Sequence, residues 1–167
     1  MACKIFLATA LVVGLVPAAF AQLSSADKAF AARAAQIDDY QIEASLIVNK
    51  YSSRAIYRQY ATMLANDRTE DSGQLQSTVA DEDPSFRLPS GVSPADKRQL
   101  DALKNTRNLD MTFRGQIISS EASTLKLYQD YIERRRANPE LKHMAQQLLP
   151  KYQQQLEDAR NLEPPAR

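Results

Sequence analysis

The sequence predicts an all-α protein, an antiparallel bundle of four long helices with one short extra helix. Three observations support this prediction. Apolar residues recur every three or four positions along four long stretches, which is the spacing of one helix face. No stretch of any length alternates with the period of two that a half-buried strand requires. Helix starts are marked by Ser or Asn, followed by Pro or an acidic residue.

The first helix is predicted over 24–51. Ser24 or Ser25 can cap its N-terminus. Asp27 falls in the first turn, where a negative charge suits the helix dipole. Gln41 falls on the otherwise apolar seam of this helix, so an amide is expected to face the interior.

The second helix is predicted over 53–80, and polar residues enter its apolar face around Asp67 and Arg68. Residues 81–93 contain two prolines, a glycine and several acidic residues, which stop helix propagation and indicate a linker. A Ser-Pro pair then predicts a short helix over 94–106. We expect the linker and the short helix to cross the end of the bundle.

The fourth helix is predicted over 109–137, with Ser120 on its apolar stripe and Glu121 beside the stripe. An Asn-Pro-Glu sequence predicts the start of the last helix, over 138–162. Pro150 interrupts this helix and is expected to kink it, because proline removes one backbone hydrogen bond.

Residues 1–21 have the three parts of a secretory signal peptide: the charge of Lys4, a short apolar run, and an A-x-A pattern ending at Ala21. We therefore expect a periplasmic or secreted protein, cleaved near Ala21. The bundle domain is predicted over 22–163, followed by a C-terminal tail over 164–167.

The charge balance argues against nucleic acid as a partner. The chain has 21 basic and 20 acidic residues, and removal of Lys4 with the signal peptide leaves 20 of each. Cys3 is the only cysteine and would also be removed, so no disulfide is expected. No second apolar stretch reaches 18 residues, so no membrane span is expected in the processed chain.

Several short motifs lie in an ordered series along the chain. They are Ala34-Ala35-Gln36, Tyr60-Ala61-x-Met63-x-x-x-Asp67, Leu109-Asp110-x-x-Phe113, Leu141-Lys142, and Leu149-Pro150 followed by Leu156. Together they resemble a bacterial family of exported, ferritin-like domains of unknown function, whose members are often labelled predicted outer-membrane proteins. The resemblance covers about 27–162 and implies a ferritin-like fold.

Members of that family usually place Glu on the first helix and His on the second, fourth and last helices, facing the interior. The matching positions here hold Gln41, Arg68, Glu121 and Gln155, with Asp67 retained as an acidic neighbour. Carboxylates and imidazoles are the ligands that suit transition metals, whereas a guanidinium repels a cation. The resemblance therefore implies a degenerate metal site, with no metal, no other cofactor and no catalytic residue.

We interpret these four positions as a buried polar cluster in which Arg68 pairs with Glu121 and the two amides satisfy the remaining groups. Such a pair would avoid the large cost of an isolated buried charge. The alternative is a metal-binding or redox protein with an all-carboxylate site formed by Asp67, Glu70 and Glu121. A third possibility is a chaperone-like bundle with an exposed apolar groove.

Other candidates have ordinary structural explanations. The only histidine, His143, is off the apolar face of its helix and is expected at the surface. The acidic group of Asp67, Glu70 and Asp71 is typical of a solvated helix face. The run 134–136 is predicted to be an exposed helix C-terminus, where arginines complement the dipole.

The sequence thus favours an exported, non-catalytic bundle protein of the cell envelope. Its expected role is structural, binding or stress-related, and its partner would be an unidentified protein or small molecule.

Overall fold

A computed structural model describes residues 22–163. Within this range there are five helices and no strand, which confirms the all-α prediction. The helices are α1 (Ser25–Tyr51), α2 (Ala55–Glu82), α3 (Pro94–Asn105), α4 (Leu109–Ile132) and α5 (Pro139–Asn161). The predicted signal peptide and C-terminal tail lie outside the described residues.

The predicted capping residues are those that begin the helices. Ser24 caps α1 in a capping box: its Oγ accepts from the Asp27 backbone N–H, and the Asp27 carboxylate accepts from the Ser24 backbone N–H. Ser93 caps α3 and Asn138 caps α5, each followed by proline in the first turn. These helix starts are determined locally, because each cap satisfies backbone groups within one turn.

Two helix ends differ from the prediction. α2 extends to Glu82, two residues into the segment predicted as linker, and α4 ends at Ile132 rather than at residue 137. The Arg134 N–H donates to the Tyr131 carbonyl at 3.1 Å, which closes a tight turn. The run 134–136 therefore lies in the α4–α5 turn and not on a helix C-terminus.

α1 packs against α2 and α4, and α5 packs against the same two helices. The α1–α2 pair is antiparallel, since Asn49 near the end of α1 bonds Thr62 near the start of α2. The α1–α4 pair is also antiparallel, because Asp27 at the start of α1 bonds Tyr131 at the end of α4.

α2 and α4 therefore run in the same direction, and the connection between them returns along the length of the molecule. Its start is held to α1 by the Lys28–Asp83 ion pair at 2.9 Å. α3 packs on α1 and α4 and buries Leu100 and Leu103. The expectation that this segment crosses the end of the bundle is wrong, because two parallel helices must be joined along their side.

The interior consists of two apolar clusters separated by a polar layer. One cluster is built around Phe30, Tyr128 and Tyr152, and the other around Tyr57 and Phe113. The buried polar residues between them come from all four long helices; they are Asp38, Gln41, Ser45, Arg68, Asp71, Glu121, Thr124 and Gln155.

Two further features bear on the predictions. α5 continues on both sides of Pro150, which lies on its exposed face. The stripe predicted for α4 is buried at four of its six positions, namely Phe113, Ile117, Thr124 and Tyr131. At the other two positions the next residue is the buried one: Glu121 instead of Ser120, and Tyr128 instead of Leu127. Since each residue turns the helix by about 100°, a difference of one position decides which side chain faces the interior there.

None of the helices within residues 22–163 combines the length and the apolar character needed to cross a bilayer.

Candidate functional site

The centre of the polar layer is Arg68, on α2, whose side chain is fully buried. Its Nη2 donates to both carboxylate oxygens of Glu121 on α4, at 2.8 and 2.6 Å. The same nitrogen donates to Oε1 of Gln155 on α5 at 2.8 Å. Three helices thus meet through one guanidinium group, and the predicted Arg68–Glu121 pair is present.

An aromatic ring completes the surroundings of this guanidinium. The Arg68 Cζ lies 4.0 Å from the centre of the Tyr152 ring, within the range of a cation–π interaction. The Tyr60 hydroxyl donates to the Gln155 backbone carbonyl at 3.1 Å, which fixes α5 against α2 at this level.

Two further carboxylates face Arg68 from its other side. Its Nη1 lies 3.7 Å from Oδ1 of Asp38 and 3.8 Å from Oδ2 of Asp71, and both aspartates are buried. Asp71 also accepts a hydrogen bond from Lys151 on α5. The prediction that Asp71 belongs to a solvated helix face is therefore wrong.

The charges of this layer do not cancel if every group is ionised. Arg68 and Lys151 are positive, whereas Glu121, Asp38 and Asp71 are negative, which leaves one excess negative charge. Burial raises the pKa of Asp38 to about 8, although the charge of Arg68 opposes this shift. Asp38 is therefore largely protonated at pH 7, and the layer is then close to neutral.

The two members of the central pair are stabilised in their charged forms by each other. Burial raises the pKa of Glu121, and the adjacent Arg68 opposes the increase. Burial disfavours the charged form of Arg68, but Glu121 and Tyr152 outweigh this effect and raise its pKa above the ordinary value. Arginine thus stays cationic in this interior.

Gln41 is buried in the same layer but does not hydrogen-bond to Arg68, contrary to the prediction. Its Nε2 donates to the Ser120 hydroxyl at 2.9 Å, so it joins α1 to α4. Its Oε1 has no hydrogen-bond partner within residues 22–163, and the same is true of Asp38 Oδ2 and Arg68 Nε.

The retained acidic neighbour, Asp67, lies at the edge of the layer. Its Oδ2 accepts a hydrogen bond from Nε2 of Gln155 at 2.7 Å. The alternative metal site needs Asp67, Glu70 and Glu121 together. Glu70 is instead exposed, whereas Glu121 is buried and both of its oxygens are bonded to Arg68.

The donor chemistry of this layer does not fit a metal ion. Across the part of the chain that the structure describes, no group of three or more His, Cys, Asp or Glu side chains is placed to hold one. The centre of the layer is a guanidinium, which cannot act as a ligand. The arrangement forms a cross-link between helices through charge-assisted hydrogen bonds.

The remaining predicted candidates lie where ordinary packing would put them. His143 is exposed and contacts Gln147, one turn further along α5. All tyrosines except Tyr51 are buried; they are Tyr40, Tyr57, Tyr60, Tyr128, Tyr131 and Tyr152.

Sequence reasoning missed Asp38 and Asp71 as members of the layer. A signal for each was present in the spacing. Asp38 precedes Gln41 by three residues, and Asp71 follows Arg68 by three, so each shares a helix face with a residue already assigned to the interior.

No curated protein and no solved structure matches the chain. A family described as a domain of unknown function (DUF4142) matches residues 15–162, which is most of the chain and includes every residue of the polar layer. The chain therefore belongs to the DUF4142 family.

Proposed function

We propose that this protein is an exported, ferritin-like bundle of the cell envelope in which an internal arginine replaces the metal of the ancestral site. Its role is structural or binding, and not catalytic. The observation that carries the proposal is the bonding of the buried Arg68 to Glu121 and Gln155, at three positions where the family resemblance implies metal ligands.

The helix order supports the ferritin-like part of the proposal. Ferritin-like bundles have one long crossover connection, which runs along the bundle between two parallel helices. In this chain α2 and α4 are parallel, and residues 83–108 run beside α1 between them. The other two connections between the long helices, 52–54 and 133–138, are short.

The chemistry of the layer supports the replacement of a metal by arginine. A bound cation would hold together side chains from several helices, and the Arg68 guanidinium makes equivalent links to α4 and α5. The protein would thereby gain a cross-link that does not depend on metal supply. Arginine suits this role because its charge persists when it is buried.

The experiment is metal analysis of the wild-type protein and of a variant with restored ligands. The variant carries Gln41→Glu, Arg68→His and Gln155→His, which leaves Glu121 free to act as a ligand. We expect no stoichiometric iron, manganese or zinc in the wild type, and bound metal in the folded variant. Stoichiometric metal in the wild type would contradict the proposal and would favour the carboxylate alternative.

Export is tested separately by the mass of the protein recovered from the periplasm or the medium. A chain beginning at Gln22 is the expected product, because the predicted cleavage follows Ala21. Recovery of the full-length chain from the cytoplasm alone would contradict export, but it would leave the interpretation of the Arg68 layer unaffected.

A further inference from the structure

The exposed large apolar side chains gather towards one end of the molecule. In the described range they are Leu46, Tyr51, Ile56, Met63 and Met111. This end contains the last turns of α1 and α5 and the first turns of α2 and α4. We call segments 46–58 and 103–114 the tip; they include all of these residues except Met63.

Contacts between elements hold the tip together. Ile47 and Tyr51 of α1 line one cavity of about 420 Å³ with Leu103 and Leu109 from the second segment. Arg114 donates to the Leu162 carbonyl at 2.9 Å, which joins the start of α4 to the end of α5. The two segments of the tip are therefore neighbours in space and form one surface.

The tip also differs from the rest of the chain in charge. It holds one acidic residue, Asp110, and six of the 21 basic residues. The basic residues are Lys50, Arg54, Arg58, Lys104, Arg107 and Arg114. The formal charge of the tip is +5. The adjoining last turns of α5, residues 157–163, add three acidic residues and one basic residue, so this whole end carries +3, whereas the whole chain carries only +1.

Basic side chains of the tip lie over two tyrosine rings, of which Tyr51 is exposed and Tyr57 is buried beneath the surface. The Lys50 Nζ lies 5.1 Å from the centre of the Tyr51 ring, and Tyr51 is 63% exposed. The Arg54 Cζ lies 5.1 Å from the centre of the Tyr57 ring. Exposed apolar side chains interleaved with Lys, Arg and Tyr are typical of protein surfaces that enter the headgroup region of a membrane.

We propose that the tip docks end-on to an anionic lipid surface. The exposed basic side chains of Lys50, Lys104 and Arg107 contact lipid phosphates, while Leu46, Tyr51, Ile56 and Met111 enter the boundary between headgroups and acyl chains. The other three cations of the tip donate to backbone carbonyls and add to its positive potential. Charge complementarity identifies the partner, because anionic lipid attracts clustered basic residues and the excess of basic residues coincides with the exposed apolar residues. This inference concerns a different surface from the Arg68 layer and does not depend on the proposed function.

The test is co-sedimentation of the purified protein with vesicles of phosphatidylcholine alone or mixed equally with phosphatidylglycerol. We expect binding to the mixed vesicles and little binding to phosphatidylcholine. The double variant Lys104→Glu with Arg107→Glu removes two exposed cations. Because each cation near such a surface contributes about a fivefold factor, the partition coefficient should fall by at least about 25-fold.

A matched control reverses the same number of charges at the opposite end. Arg135 and Arg136 are exposed in the α4–α5 turn, so Arg135→Glu with Arg136→Glu changes the net charge equally. This control should retain binding to the mixed vesicles. An equal loss in both double variants would show a general effect of net charge and would overturn the proposal.

The apolar contribution is tested with a second pair of variants. Met111→Ser should weaken binding to the mixed vesicles, whereas Met111→Leu, which keeps an apolar side chain at the same exposed position, should not. All substituted side chains are exposed, and circular dichroism verifies the fold. Failure to bind anionic vesicles would overturn the proposal. Polyglutamate serves as a probe for an acidic protein partner. If it bound as strongly as the vesicles and Met111→Ser did not weaken that binding, the tip would be assigned to an acidic protein and the proposal would also be overturned.

Discussion

At the scale of the residue, the interior depends on how one buried positive charge is compensated. The Arg68 guanidinium is bonded to Glu121 and Gln155 and has no access to water. Removing one partner of such a pair costs far more than replacing both by apolar groups, because the remaining charge is left uncompensated. Arg68 and its partners in the layer must therefore be kept together or replaced together.

Removal of the Glu121 carboxylate should be severely destabilising. We expect Glu121→Ala to lower the free energy of unfolding by about 3–5 kcal/mol in urea denaturation. Asp130→Ala is the control, because it removes the exposed Lys126–Asp130 pair on the same helix and should cost less than about 1 kcal/mol. If the two variants lost similar, small amounts, the buried pair would not support the fold.

The pH dependence of stability should reveal the proton on Asp38. The folded protein holds this proton up to about pH 8, whereas the unfolded chain releases it near the ordinary aspartate pKa of 3.8. The unfolded state thus binds fewer protons in this window, so the Asp38 contribution is complete below about pH 4 and is lost as pH rises to 8.

The measurement is the free energy of unfolding of wild type and Asp38→Asn at several pH values between 4 and 8. The wild type should lose stability relative to the variant as pH rises, with a limiting slope of about 1.4 kcal/mol per pH unit. Parallel curves for the two proteins would show that Asp38 does not hold the proton.

At the scale of the element, the segment that joins α2 to α3 turns at a glycine. Gly91 has a φ of +80°, a backbone conformation that residues with a Cβ rarely adopt. Its N–H donates to Oδ2 of Asp39 at 2.7 Å, which holds this turn against α1. Gly73 and Gly115 lie within α2 and α4, where no such backbone conformation is required.

Alanine at these glycines should have effects of opposite sign. Gly91→Ala should destabilise the protein by about 1 kcal/mol or more, because the left-handed backbone is strained by a Cβ. Gly73→Ala and Gly115→Ala should stabilise it by about 0.5–1 kcal/mol each, since both have open space for a Cβ. Thermal unfolding distinguishes these outcomes, and stabilisation by Gly91→Ala would contradict the assigned turn.

At the scale of the whole molecule, the topology follows from the parallel directions of α2 and α4. Their connection must span the molecule along its side, and residues 83–108 do so while burying Leu100 and Leu103. The same helix directions bring the end of α1 and the starts of α2 and α4 together at the tip, with the end of α5 beside them.

Shortening this connection should prevent the fold. α4 has 24 residues and is about 36 Å long, whereas a four-residue linker reaches at most about 14 Å. We expect a chain with residues 84–107 replaced by four glycines to lose cooperative unfolding. A control chain in which a flexible linker of the original length replaces residues 84–107 should still fold, although with lower stability because Leu100 and Leu103 are lost. Cooperative unfolding of the chain with the four-glycine linker would contradict the topology.

The sequence by itself determined the five helices and the starts of α1, α3 and α5. Ser24, Ser93 and Asn138 act within one turn, and the apolar period is visible along each helix, so no long-range information was needed. The resemblance to a family also identified Arg68, Glu121 and Gln155 as positions that converge.

Only the tertiary structure decided which polar groups share the layer and how they pair. Asp38 and Asp71 belong to it, and Gln41 bonds Ser120 instead of Arg68. On α4, Glu121 rather than Ser120 is buried in the layer. The physical reason is that each residue along a helix is rotated by about 100°, so the partner of a buried group depends on how neighbouring helices are rotated against each other. That rotation is set by the packing of all the helices together and is not contained in any one segment.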